Sequence, residues 1–202
     1  MNSLDFFEKY YGQKGTQYFS ASLISFFEST IRHRLSFDCE ILEIGAGSYS
    51  LFEEIKDFKA HVRAIDFSKK AIKKAPKSAV HYELADVTIS TFFPDDHYDF
   101  VFDAHCVNCL TSKEERQKAF ENIYRALKVN ALLACELMVR PSHGPSVQIP
   151  FKVVQTALEW EQEFISNGFK IVYFMIVKES HFGAMVEGRE VNCDVLRVIA
   201  QK

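Results

Sequence analysis

The 202-residue chain is 48% hydrophobic and 25% charged, an ordinary balance for one globular domain with a single sizeable core. Its net charge of −3 carries no basic stripe of the kind nucleic acid requires, so no nucleic-acid partner is expected. The longest apolar runs, ALLACELMV and IVYFMIV, are far below the roughly 20 residues of a membrane-spanning helix, and Asp5 stands where a secretory leader would be basic and then apolar, so a cytoplasmic protein without a membrane partner is expected.

In chain order, residues Tyr18 to Leu35 place Phe19, Leu23, Phe26, Phe27 and Ile31 at three- and four-residue steps, which predicts a helix with one apolar stripe. CEILEIG predicts a buried strand stopped by glycine; SLFEEIKDFK returns to a helical period, and HVRAIDF is strand-like. SKKAIKKAPK predicts a helix capped by Ser68, with Lys69, Lys70, Lys73 and Lys74 on a solvated face. AVHYELAD and YDFVFDA are strand-like. SKEERQKAFENIYRALK is helical, with acids in its first turn and Arg125 and Lys128 in its last, and ALLACELMV predicts a fifth strand.

This alternation implies βαβ crossovers and therefore an α/β fold: a doubly wound, mostly parallel, seven-stranded sheet with helices on both faces. After the loop RPSHGPSVQIP a helix is expected from Val153 to Ser166, ended by Asn167 and Gly168. FKIVYFMIVKES and REVNCDVLRVIAQK are joined by too short a connection for a parallel crossover, so they should form an antiparallel C-terminal hairpin. A single domain is expected, with a helical cap segment over 1–35, a cofactor-binding core over 36–140 and a substrate-side helix and hairpin over 141–202.

In such sheets ligands bind outside the carboxyl ends of the strands, where the first strand turns into its helix. Gly45 and Gly47 of EIGAGSYS fall there, and Asp66 follows Gly45 by 21 residues, close to the about 20 expected for an acid that accepts ribose hydroxyls. A nucleoside-containing cofactor is implied. A dinucleotide fingerprint would carry glycine or alanine where Ser50 stands, and Glu43 beside two phosphates would be electrostatically unfavourable, whereas an ammonium or sulfonium would suit it.

With these residues the chain resembles a class I S-adenosylmethionine-dependent methyltransferase. ILEIGAGSYS is similar to the family's first motif, AIDFS to its ribose-binding acid, ELADVT to its adenine-binding acid and YDFVFDAHCVNCL to its fourth-strand motif, over about residues 36 to 140. The resemblance implies that Gly45 and Gly47, with Glu43 behind them, hold the methionine part of S-adenosylmethionine. It implies that Asp66 accepts both ribose hydroxyls, Phe67 packs on adenine, Asp86 accepts its amine with Val87 alongside, and Ala104 and His105 border the transferred methyl. Two departures stand out: Tyr49 replaces the family's third glycine, and VNA replaces the usual Pro-Gly-Gly, with Asn130 as the left-handed residue that would end the fourth helix.

The expected reaction is methyl transfer to an O, N or S nucleophile, leaving S-adenosylhomocysteine. In-line displacement needs alignment and water exclusion but no metal. His105 is the expected base if the acceptor must lose a proton; His143 and His181 are further neutral-pH histidines. Tyr10, Tyr11 and Tyr18 of the aromatic N-terminus, with His143, are the expected acceptor contacts. A small-molecule acceptor is expected, with a peptide or protein left open. Cys106 and Cys109 in CVNC have redox or zinc spacing, but no second pair accompanies them, so they are read as packing or pocket lining, and the five cysteines as free thiols. Two other classes stay in view, a noncatalytic binding domain that retains the fold and a nicotinamide-dependent oxidoreductase.

Overall fold

The computed structural model describes residues 3–13, 19–140, 151–178, 184–186, 189–191 and 194–202. Its strands are β1 (Cys39–Ile44), β2 (Ala60–Asp66), β3 (His81–Leu84), β4 (Tyr98–Ala104), β5 (Leu127–Val139), β6 (Lys170–Val177), β7 (Ala184–Val186), β8 (Arg189–Val191) and β9 (Asp194–Gln201). The helices are α1 (Ser3–Gln13), α2 (Ala21–Phe26), α3 (Lys69–Lys74), α4 (Lys113–Ala126) and α5 (Ala157–Ser166). One seven-stranded sheet runs in the order β3-β2-β1-β4-β5-β9-β6. Strands β1 to β5 pair in parallel and β9 runs antiparallel to both β5 and β6, which is the expected reversed hairpin. The short β7–β8 pair lies between β6 and β9 in sequence and was not anticipated.

Side chains alternate across the sheet, so each strand serves two cores. Val101 of β4 packs with Phe120 and Ile123 of α4 and Trp160 and Phe164 of α5, while Phe100 and Phe102 face the other way, toward Phe26, Phe27 and Ile31. Trp160 also donates its indole N–H to the Met138 carbonyl at 3.1 Å, fixing α5 against β5.

Several boundaries differ from expectation. The helix expected through Leu35 stops as α2 and continues as a π turn over Phe27–Ile31 and a 3₁₀ turn over Arg32–Arg34. Ser29 Oγ donates to the Ser25 carbonyl there, competing with the regular ladder. SLFEEIKDFK forms only a 3₁₀ turn over Leu51–Glu53, because Glu43 accepts the Leu51 N–H and Tyr82 the Ser50 N–H, and Asp57 then turns the chain at φ 52°. The helix expected from Val153 begins at Ala157, set by a Thr156–Glu159 capping box.

α4 ends at Ala126, and Leu127 and Lys128 already belong to β5. Asn130 is left-handed (φ 65°) but does not end that helix; it lies where β5 shifts register against β4, between the pairs Tyr98–Leu127 and Phe100–Leu132. α3 matches expectation, with the Ser68 hydroxyl accepting the Ala71 N–H and all four lysines exposed.

Candidate active site

β1, apolar but for Glu40 and Glu43, leads into two left-handed glycines, Gly45 at φ 65° and Gly47 at φ 62°. A Cβ on Gly45 would stand 2.5 Å from the Cys106 Cβ, so the turn and the residue after β4 pack in direct contact. Asp66, at the end of β2, knits the turn together: Gly47 N–H donates to Oδ2 at 3.0 Å and Ser68 N–H to Oδ1 at 2.8 Å. Burial outweighs these two bonds and pushes the Asp66 carboxyl up to about 6.

Glu43 stands one layer behind. It accepts from the Ser50 hydroxyl and from Leu51 N–H, and burial pushes its carboxyl up to about 7. Asp103 of β4 is equally buried and accepts N–H bonds from Cys106 and Val107, which starts the 3₁₀ turn Val107–Cys109; burial raises it to about 7. Asp86 accepts both N–H and O–H from Thr88 through Oδ1.

These elements enclose a cavity of about 330 Å³ at the carboxyl ends of β1, β2, β3 and β4. It is lined by Gly45, Asp66, Phe67, Asp86, Val87, Ala104 and His105, together with Tyr10 and Tyr11. Glu43 and Gly47 do not reach it; they brace the turn from behind. Tyr18 and His143, like His181, lie outside the described residues. Helix α1 roofs the cavity, with Ser68 Oγ donating to Glu8 at 2.8 Å and the Phe7 ring 5.6 Å from that of Phe67.

Lining residues that the sequence reading did not single out include Phe6, Phe7, Thr88, Leu110, Glu115 and Lys152. The doublet Phe6–Phe7 beside Tyr10 and Tyr11 was the available signal for the first two. Cys106 and Cys109 also line the cavity, as expected, and Cys109 Sγ donates to the His105 carbonyl at 3.0 Å. Burial raises the Cys109 thiol to about 11. The described cysteines Cys39, Cys106, Cys109 and Cys135 are free, and Cys193 lies outside the described residues.

His105 follows β4 in the left-handed conformation, φ 72°. Its Nε2 lies 3.2 Å from Glu136 Oε1, and Glu136 in turn accepts from Arg197. The His105 side chain is 14% exposed while both ring nitrogens are shielded, so the part of the ring that shows is carbon. Among the described residues no group of three or more histidine, cysteine or acidic side chains is placed to hold a metal ion, and no helix is long and apolar enough to cross a membrane.

Residues 42–135 match the family described as a methyltransferase domain, and the sheet order and reversed β9 complete that fold around them. The chain has the Rossmann-like methyltransferase fold. An S-adenosylmethionine-dependent methyltransferase from Methanosarcina mazei superposes with a TM-score of 0.70 at 20% identity, over 86% of this chain and 97% of its own. The 1,6-didemethyltoxoflavin N1-methyltransferase of Burkholderia thailandensis, solved with its substrate and S-adenosylhomocysteine, gives 0.68 at 13% identity over 89% and 77%. The [4+2]-cyclase SpnF gives 0.74 at 15% identity over 90% and 78%. At these identities the likenesses establish the methyltransferase fold alone. No curated protein sequence matches the chain.

Proposed function

We propose that this methyltransferase domain binds S-adenosylmethionine and transfers its methyl group to an O, N or S nucleophile of a small molecule. The observation that carries the reading is the convergence of the Gly45 turn, Asp66 and Asp86 on one cavity at the carboxyl ends of adjacent parallel strands. The donor chemistry fits. Carboxylates at the ends of β2 and β3 suit ribose hydroxyls and an exocyclic amine, and Lys152 is the one cationic side chain among the described lining residues, which is poor provision for a pyrophosphate.

When bound, the cofactor supplies a methyl group already activated on a sulfonium. The residues of this chain do the rest. The Gly45 backbone, with Gly47 and Glu43 bracing the turn behind it, holds the methionine portion; Asp66 accepts from the ribose, Phe67 packs on the adenine, and Asp86 and Val87 read its edge. Ala104 and His105 border the methyl. Tyr10, Tyr11, Phe6 and Phe7 of the cap segment exclude water and contact the acceptor, with Tyr18 and His143 assigned to the same acceptor side. For an acceptor that must lose a proton, His105 is the base. In domain terms, residues 1–35 act as the cap, 36–140 as the cofactor core and 141–202 as the substrate-side segment of a single domain.

Calorimetric titration with S-adenosylmethionine, S-adenosylhomocysteine and NAD tests this. We expect both sulfur nucleosides to bind and NAD not to, with Asp66→Ala weakening binding by roughly 10- to 100-fold, the worth of bonds to one charged group. No sulfur-nucleoside binding by the unmodified chain sinks the reading. A second reading, a binding domain or an enzyme of other chemistry, is favoured by the fact that a [4+2]-cyclase has this same fold. Cofactor binding without turnover across a broad acceptor pool would select it.

A further inference from the structure

Cations are scarce in the cavity. Lys152 is the only lysine or arginine among its described lining residues, and among the described residues its ammonium makes no hydrogen bond and no ion pair. Glu115 lines the same cavity, but its carboxylate accepts from the Ser112 N–H, at 3.4 Å, in the capping box that starts α4.

The segment that carries Lys152 is tied on both sides. Phe151 stacks on Phe6 of α1 with ring centroids 4.7 Å apart, and Val153 N–H donates to the Asn108 carbonyl, in the turn after β4, at 2.7 Å. Phe151 is left-handed, φ 61°, an outlier for so bulky a residue, and such backbone persists only where its surroundings over-determine it. The strain lies directly before the half-buried lysine that the cavity wall contains.

The charges divide the cavity into two ends. Burial raises both cysteine thiols in its wall, but the charged groups that act on them differ. Around Cys106, which packs on the Gly45 turn, they are the carboxylates of Asp103, Asp66 and Asp86. Around Cys109 the Lys152 ammonium leads, ahead of Asp103 and Asp66. A cationic group is therefore favoured at the Gly45 end and an anionic one at the Lys152 end.

We propose that Lys152 is a specificity-determining residue of the acceptor site and receives the carboxylate of an aryl acid whose ring lies against the aromatic cap. This rests on the methyl-transfer reading above. A lone ammonium suits a monoanion, whereas a phosphate ester, with about two charges, would call for an arginine fork or several donors and would also face Asp66 and Asp86. The ring is matched by Phe6, Phe7, Tyr10 and Tyr11, which line the same space. An ion pair at the far end of the acceptor sets its register, so that a hydroxyl or amino substituent of the ring, and not the carboxylate, faces the methyl group.

Calorimetric titration of the full chain loaded with S-adenosylhomocysteine tests this, using hydroxy- and amino-substituted benzoates and naphthoates, each paired with its neutral amide. The unmodified complex should bind the acids about tenfold or more tighter than the amides, Lys152→Met should lose that preference, and Lys152→Arg should keep most of it. Amides bound as tightly as acids by the unmodified complex, or binding of neither, overturns the proposal without any variant having to fold. An acid preference that survives Lys152→Met overturns it as well.

A carboxylate is also present on the methionine part of the cofactor, and S-adenosylhomocysteine affinity separates the two sources. It should change by less than about threefold in Lys152→Met; a loss as large as that of the acids assigns the ammonium to the cofactor and overturns the proposal. Failure of the unmodified chain to bind S-adenosylhomocysteine removes the methyl-transfer reading, while the same acid and amide comparison on the free chain still decides what Lys152 binds, so the two failures are distinct.

Discussion

The two ends of this sheet treat charge in opposite ways. At the carboxyl ends, Glu43, Asp66 and Asp103 are buried and satisfied by backbone N–H groups and a serine hydroxyl, and burial lifts them to about 7, about 6 and about 7. At the amino ends, Glu40 meets His97 at 3.8 Å and Glu83 meets His81 at 3.8 Å, all four side chains open to water. Asp99 there sits below the usual carboxylate range because Lys128 overcomes a modest desolvation. Water screens the second set, so it contributes little either way, whereas the first set weakens the fold locally. Titratable groups kept where they cost stability, beside glycine turns and a cavity, lie at the end of the sheet that holds the proposed site.

The sharpest way to break the contrast is Gly45→Ala. A Cβ there would meet the Cys106 Cβ at 2.5 Å on a left-handed backbone, so we expect a loss of roughly 2 to 3 kcal/mol in a denaturant melt and the disappearance of cofactor binding by calorimetry.

Glu43→Gln comes next and has a definite sign. A carboxyl raised to about 7 in the folded state from an ordinary 4.5 favours folding while protonated, and that stability is lost as pH rises through about 7. The unmodified chain should therefore lose stability between about pH 4.5 and 7.5, on the order of 3 kcal/mol from this group, and Glu43→Gln should flatten that slope. Melting temperatures across that pH range check it; an unchanged slope refutes it.

Asn130→Ala tests a backbone feature away from the cavity. Its φ of 65° in the β5 register shift should cost about 1 kcal/mol, with Asn130→Gly near neutral and cofactor binding unaffected. Smallest of all, Lys128→Ala removes a pair whose side chains are 43% and 29% exposed, and should shift stability by less than about 1 kcal/mol, less still at high salt.

Much of this was readable locally. Strand cores such as CEILEI and YDFVFDA, the glycine turn and the acids at positions 66 and 86 are set by period, by turn chemistry and by short spacings, and the structure places them around one cavity. What escaped depends on partners distant in sequence. The helical pattern after Ser50 is cut short by Glu43 and Tyr82, and β5 begins at Leu127 because it pairs there with Tyr98. Glu136 was visible as the lone acid in ALLACELMV, just as Glu43 is the acid in ILEIG, but its meaning required knowing that β9 lies beside β5.

That placement of β9 has a consequence for the order of folding. Strand β9 lies between β5 and β6, and Glu136 and Arg197 are 61 residues apart in sequence. The glycine turn meets Cys106 across the same span, and β1 pairs with β4 through Ile41 and Phe100 across nearly as long a one, so both halves of the sheet close long loops whose entropy is lost before any contact compensates. A chain caught before β9 inserts would hold Glu136 without its countercharge. The charge balance beside the cavity wall therefore depends on β9, and an intermediate that lacks this strand holds a buried acid without its arginine.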